Sequence, residues 1–298
     1  MAISPKILVT GITGQLGAAL LPVLKRMGSI AAVGRKECDL ADADAIAAMV
    51  RAVRPQIIVN PAAYTAVDRA QSDRLEAFAI NTTAPHVMAQ IASEIGATLI
   101  HYSTDYVFDG RKATAYLEED ETNPASVYGL SKRDGENLVR QNLSRHFILR
   151  TSWVFSEIGN NFLKTMLRLA AERDELTIVA DQIGSPTSAR LLAEATGKIV
   201  QTVLQENEEL YGTYHLTAGG KTSWHGYASY AIAEAKRIGL PVCVRRDRIK
   251  AVASKDFPAA VTRPANSCLD TAKFRKVFGM DLPPWQQDVS ATVKALAQ

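Results

Sequence analysis

KILVTGITGQLG, residues 6–17, is an apolar strand running into a glycine-punctuated turn and out into a helix. Gly11 permits the tight turn, Gly14 lets backbone approach a pyrophosphate, and Gly17 allows the helix to pack closely on the strand. Thr13, Gln15 and Leu16 share that turn and are counted with the glycines as dinucleotide contacts. The helix N-terminus adds free N–H groups and a positive dipole end, which suit phosphate. This stretch predicts the first strand–turn–helix unit of a dinucleotide-binding sheet.

Working outward, apolar runs alternate with amphipathic ones. QLGAALLPVLKRM reads as a helix, SIAAVG as a strand, and Asp42 or Asp44 as the cap of a helix through about Val53. QIIVN, ATLIHYS and HFILRTS read as strands, PHVMAQIASEIG as a helix ended by Gly96, and SKRDGENLVRQN as a helix. Strand–helix alternation at this spacing implies βαβ units, hence an α/β, doubly wound Rossmann-type parallel sheet. Residues 1–150 form its nucleotide-binding domain. Beyond Thr151 the texture is less regular and richer in Gly, Pro and Trp. Residues 151–298 therefore read as a smaller, mainly substrate-binding domain that is interleaved with the last strands of the sheet. The boundary is soft by 15 residues or more.

The chain's 298 residues carry a formal charge of +3, too little to argue for a nucleic-acid partner. No apolar run approaches the ~20 residues of a membrane span, and the N-terminus lacks the apolar core and cleavage site of a signal peptide. Cys38, Cys243 and Cys268 form no CxxC, as expected of reduced thiols in a cytoplasmic protein. The five histidines have no metal spacing, so no metal site is expected.

Site candidates gather where strands should end. GRKECDL closes the second strand with Arg35 and Lys36 where an acid would select NAD. Two cations there favour the 2′-phosphate of NADPH, with NADH tolerance left open. Asp39 and Leu40 lie where they could contact adenine. In NPAAYTAVD, small Ala62 and Ala63 let backbone pass the cofactor ribose. Tyr64, Thr65, Val67 and Asp68 lead toward the substrate. HYSTDYVFDG places Tyr102 on the cofactor side, offers Thr104 as a hydrogen-bond donor to a carbonyl, and sets Asp105 and Tyr106 at the border. His101 reads as a core or cofactor-side residue rather than a catalyst. Tyr128 and Lys132 in YGLSK share one helix face. A cation so placed favours phenolate, and the expectation is a tyrosine pKa drawn down toward neutrality by its lysine.

TGxxGxxG, STDYVF, YGxSKxxGE, RTSWVF, GNNF, DQxGxPT, YHLTAGG and RPxNSxLD together resemble the dTDP-4-dehydrorhamnose reductases, extended short-chain dehydrogenase/reductases, from about Lys6 to Trp285. STDYVF, RTSWVF and DQIGSPT are the specific motifs; the earlier ones are common to the superfamily. The resemblance implies NADPH-dependent reduction of the C4 keto group of a dTDP-linked 4-dehydro-6-deoxyhexose. Tyr128 would be proton donor and Lys132 its tuner and ribose anchor. Thr104 and Asp105 would face the sugar, Trp153 would pack on it, and Asn161, Phe162 and Arg263 would border the nucleotide diphosphate. Gln15 and Arg190 stand where some members hold carboxylates for a magnesium-bridged dimer. The expectation is a monomer or homodimer without that bridge.

Three rivals are similar in fold. A 4,6-dehydratase needs a glutamate after Thr-Asp, where this chain has Tyr106. An epimerase would retain its cofactor tightly, which no residue reveals. An NADP-binding regulatory subunit resembling the methionine adenosyltransferase β subunit would bind without turning over, and the Thr104, Tyr128, Lys132 set favours catalysis over it.

Overall fold

The computed structural model describes residues 4–205, 210–257 and 261–297. The first half follows the expected alternation: β1 (Lys6–Val9), α1 (Gln15–Leu24), β2 (Ser29–Ala32), α2 (Ala43–Val53), β3 (Ile57–Asn60), α3 (Arg74–Phe78), α4 (Ala84–Ile95), β4 (Thr98–Thr104), α5 (Val127–Asn142) and β5 (His146–Thr151). Local chemistry sets the ends. The Asp42 side chain accepts from the Ala45 amide to start α2, and Gly96, at φ 72°, stops α4 in the left-handed region. Ser126 accepts from the Gly129 amide at 3.1 Å, which starts α5 four residues before the expected Ser131 and puts Tyr128 in its first turn.

One feature left no trace in the periodicity. Between α3 and α4 a π-helical turn, Ala79–Thr83, widens the helix and buries Asn81. Its side chain accepts from the Tyr64 amide at 2.9 Å and donates to the Tyr64 carbonyl and the Ser131 hydroxyl, both at 3.0 Å. The bulge thereby ties the loop after β3 to the helix that carries Tyr128.

The second half contains β6 (Val154–Phe155), α6 (Phe162–Glu172), β7 (Leu176–Val179), β8 (Ile183–Gly184), β9 (Thr187–Ser188), α7 (Ala189–Leu204), β10 (Gly212–His215), β11 (Thr222–Ser223), α8 (Trp224–Arg237), β12 (Ile249–Val252), α9 (Ala272–Phe278) and α10 (Trp285–Ala295). Its strands are short, and six of them pair into three two-stranded ladders, β6–β9, β7–β12 and β8–β11. β10 instead crosses back to lie parallel to β5.

The main sheet is thus six parallel strands in the order β10-β5-β4-β3-β1-β2. β3, β4 and β5 are buried along their whole length, as helices on both faces require. One face packs Leu20 and Leu24 of α1 with Leu192 and Ile199 of α7 and Phe278 of α9. The other packs Ile46 of α2, Met88 of α4 and Val139 of α5. Each such buried side chain contributes roughly 1.5–3 kcal/mol. A separate cluster, Leu163, Tyr227, Trp285 and Val289, holds α6, α8 and α10 together. Among the described residues no helix is long and apolar enough to cross a membrane.

Candidate active site

A cavity of about 580 Å³ opens beyond the carboxyl ends of β1, β3, β4 and β5. The order of strands reverses between β1 and β3, the place where an open α/β sheet leaves a crevice. Gly11, Thr13, Gly14, Gln15, Leu16 and Gly17 line its floor. Gly11 sits at φ 56°, and a Cβ on Gly17 would lie 2.1 Å from the Gly11 carbonyl oxygen, so helix and turn touch backbone to backbone. Gly14 caps α1 without a side chain, leaving first-turn N–H groups of α1 for a ligand. This cradle fits a pyrophosphate.

Arg35, Asp39, Leu40, Ala62 and Ala63 continue the same wall. The Arg35 side chain is 74% exposed and pairs with Glu76 at 3.2 Å, a contact weak enough at that exposure to be exchanged for a ligand phosphate. Lys36 is not on the wall. Tyr64 is turned away: its hydroxyl donates to Asp73 at 2.6 Å and its amide to Asn81. Tyr64, expected to contact the cofactor and lead toward the substrate, is therefore absent from the lining, whereas Ala62, Ala63, Thr65 and Val67 are on it.

Thr104, Tyr128 and Lys132 meet on the opposite wall and are 6%, 9% and 2% exposed. The phenol differs from expectation. Burial pushes Tyr128 up to about 12, with the Thr104 hydroxyl pulling it down and Asp105 pushing it up. The cation does not draw it down because the Lys132 ammonium is directed elsewhere, to the Tyr102 carbonyl at 2.7 Å and His101 Nε2 at 3.2 Å. Burial lowers Lys132 itself to about 8, opposed by Glu136 one turn further along α5. Tyr128 is therefore a protonated phenol at neutral pH, a donor rather than a base.

Asp105 is 3% exposed and raised by burial to about 6. The Thr104 hydroxyl donates to its Oδ1 at 3.0 Å and accepts from the Tyr106 amide at 3.2 Å. Tyr106 meets Tyr128 edge-on at 5.5 Å. Beneath this wall, fully buried Glu136 takes two hydrogen bonds from Arg150, at 2.9 and 2.7 Å. Burial would raise that carboxyl, but Arg150 wins and holds it at about 2.

The third wall comes from the second half. Trp153 lines the cavity with its backbone at φ 49° and stacks on Trp224 at 3.6 Å and 13°. Gly184 leaves room behind it, since a Cβ there would fall 2.6 Å from the indole. Trp224 opens α8 behind the Ser223 cap, so its stretch reads as plain helix in the sequence; a tryptophan directly after a capping serine is the one signal that could mark it. Thr151, the last residue of β5, and Ser152 just after it also line the cavity.

Three expected substrate residues lie outside the lining. Asn161 caps α6, accepting from the Lys164 amide and donating to Gln15 and the Ser156 carbonyl at 2.8 Å. Phe162 packs on Trp224 at 4.5 Å, behind the aromatic wall. Arg263 donates to Asp68 at 2.9 Å and reaches toward Tyr106 at the rim. Arg245, Arg248 and Lys250 pair on the surface with Asp247 and Glu175. Gln15 accepts from Ser156 and Asn161, and Arg190 pairs with Asp288 and Glu194.

A model of the RmlD substrate binding domain matches residues 5–298. The chain is 42% identical over 294 residues to a dTDP-4-dehydrorhamnose reductase of Shigella flexneri, covering 97% of each. Among solved structures it resembles a dTDP-4-dehydrorhamnose reductase of Bacillus anthracis in complex with NADP, with TM-score 0.90, 34% identity, and 98% and 100% of the two chains covered. A Clostridium acetobutylicum dTDP-4-dehydrorhamnose reductase matches at TM-score 0.88 and 33% identity, over 98% and 100%.

Proposed function

Since the chain belongs to the RmlD substrate binding domain family, we propose that it is an NADPH-dependent oxidoreductase that reduces the C4 keto group of dTDP-4-dehydrorhamnose to give dTDP-L-rhamnose. The observation that carries the reading is the facing of two walls across one cavity. A glycine-backbone cradle for a dinucleotide stands opposite a buried Thr104, Tyr128, Lys132 set.

NADPH, when bound, supplies the hydride. Gly11 through Gly17 would hold its diphosphate by backbone N–H groups, and Arg35 would leave Glu76 for a 2′-phosphate. Ala62 and Ala63 leave room for a ribose. Tyr128 gives its proton to the oxygen that becomes an alkoxide at sugar C4. A general acid in place contributes typically about 100- to 10,000-fold. Thr104 and the Lys132 charge stabilise that oxygen in a site that excludes most water. Asp105, Tyr106 and the Trp153–Trp224 pair bound the sugar. Residues after Thr151 supply most of that side, and Arg263 flanks its rim. The reductase works in the cytoplasm as a monomer or homodimer without a carboxylate-held magnesium bridge.

Tyr106 stands where a 4,6-dehydratase would need its base, which disfavours elimination chemistry. A regulatory subunit would have no use for the buried triad. Oxidation of NADPH with dTDP-4-dehydrorhamnose, followed at 340 nm with the product identified, tests the reading. Cofactor binding without turnover would return it to the regulatory alternative.

A further inference from the structure

Lys132 does not end the polar network of the active site. Its ammonium meets His101 Nε2 at 3.2 Å; His101 Nδ1 meets Asn60 Nδ2 at 3.2 Å; and the Thr10 hydroxyl donates to Asn60 Oδ1 at 2.6 Å. The four residues sit on α5, β4, β3 and the end of β1, crossing three neighbouring parallel strands. They are 2%, 1%, 0% and 1% exposed, so each must satisfy the next. Thr10 lines the dinucleotide side of the cavity.

Hydrogen-bond bookkeeping allows this chain two arrangements. A lysine ammonium has three donors and no acceptor, whereas a neutral imidazole has one of each. With Lys132 charged, Nε2 must accept, so Nδ1 carries the proton. Asn60 must then turn its carbonyl toward the ring and its amide toward Thr10. In the opposite arrangement Asn60 donates to Nδ1, the ring donates from Nε2, and Lys132 must be the neutral amine. Any mixture sets two donors face to face inside the sheet, which costs about 1–3 kcal/mol for each unsatisfied group.

We propose that Thr10, Asn60 and His101 form a two-state hydrogen-bond relay that selects the charge on Lys132, with His101 as a positioning residue for the proton donor Tyr128. The other groups facing Lys132 do not switch with it. On α5 they are Tyr128 one turn before and Glu136 one turn after, the latter already committed to Arg150 and Arg140. On β4, besides His101 itself, it is the Tyr102 carbonyl, with Asp105 just past the end of the strand on the Tyr128 side. His101 stays neutral because burial, and then Lys132, drive its pKa well below the ordinary range. It answers by changing tautomer, not charge.

The proposal rests on Lys132 belonging to a reducing site only for its kinetic arm; its spectroscopic arm does not depend on that reading. The full-length protein labelled with ¹⁵N-histidine is followed by two-bond ¹H–¹⁵N spectra from pH 6 to 10, with His101 assigned by its loss in His101→Gln. The expected result is a His101 that is never doubly protonated and is Nδ1–H at the acid end. Its two nitrogens should change character at the midpoint of Lys132 deprotonation. In the kinetic arm, His101→Leu removes the acceptor from the ammonium. The alkaline limb of the kcat profile then moves down by about one pH unit, and His101→Gln, which restores a carbonyl, moves it back. A single tautomer across the whole range overturns the relay even if the enzyme is active. A folded His101→Leu with an unmoved limb overturns it as well. An inactive protein with the tautomer change would instead leave the relay standing and sink the reductase reading.

Discussion

The two sides of the cavity are built in opposite ways. On the dinucleotide side the wall is backbone: Gly11 and Gly17 in contact, strand ends anchored in a six-stranded sheet, and small Ala62 and Ala63. On the side proposed for the sugar the wall is side chain: Trp153 follows β5, and Trp224 opens α8 directly after the two-residue strand β11. Backbone walls tolerate no added atoms but are indifferent to what surrounds them. Side-chain walls accept substitution and change what they hold. On the proposed function, the first wall would serve a constant cofactor and the second a particular sugar.

The largest expected effect lies beneath the Tyr128 wall, at Glu136→Gln. It leaves the buried Arg150 charge without its counter-ion, and a loss of about 3–5 kcal/mol in denaturant unfolding is expected. The sign with pH follows from the same pair. Glu136 titrates at about 2 when folded against an ordinary 4.5, so its contribution is complete above about 4.5 and lost as pH falls toward 2. The melting temperature of the native protein should fall across that window more steeply than that of the variant.

Next in size is Tyr128→Phe, expected to lower kcat by roughly 100-fold or more with NADPH affinity nearly unchanged. Undiminished turnover would take the phenol out of the chemistry. Gly17→Ala should cost the turn about 1–3 kcal/mol, because its Cβ meets a carbonyl that cannot move. Cofactor affinity by fluorescence titration should drop roughly tenfold for each 1.4 kcal/mol taken from the cradle. An unaffected cradle would mean that the backbone wall is softer than it looks.

On the side-chain wall the effects shrink. Trp224→Ala should raise KM for the dTDP-sugar by about 3- to 10-fold with little change in kcat, the scale of one aromatic contact of about 0.5–1.5 kcal/mol. A fall in kcat alone would make Trp224 a prop for the chemistry rather than a wall for the sugar. The smallest effect belongs to Arg35→Ala. At its exposure the charge is worth about 0–1 kcal/mol, so the NADPH-over-NADH preference should relax by only about threefold in kcat/KM.

The backbone wall was the more legible half. Glycine spacing after an apolar strand reports a steric requirement of neighbouring residues, and Gly11, Gly14 and Gly17 stand where their spacing put them. The i, i+4 relation of Tyr128 and Lys132 is local too. What escaped was set by distant partners. Lys132 is aimed by His101 and the Tyr102 carbonyl, 31 and 30 residues away, which is why its expected hold on the phenol was wrong. Tyr64 is drawn off the cavity by Asp73 and by an Asn81 that only a π-turn could place. Asn161 and Phe162 carry motif identity, but their side chains are occupied by a helix cap and by an aromatic stack. Trp224 is held at the cavity by Trp153 and Gln182 and follows a β11–β8 ladder too short to leave a period in the sequence.

β10 gives the sheet its last strand from residues 212–215, more than sixty positions after its neighbour β5. During synthesis β5 must therefore wait for its β10 partner until all of the intervening chain has emerged from the ribosome. A gene fragment ending near residue 150 would display the unpaired edge of β5 permanently, and such edges recruit other chains. Halves of this enzyme would be better exchanged between relatives by swapping the loops around Trp153 and Trp224 than by cutting at the boundary that composition suggests.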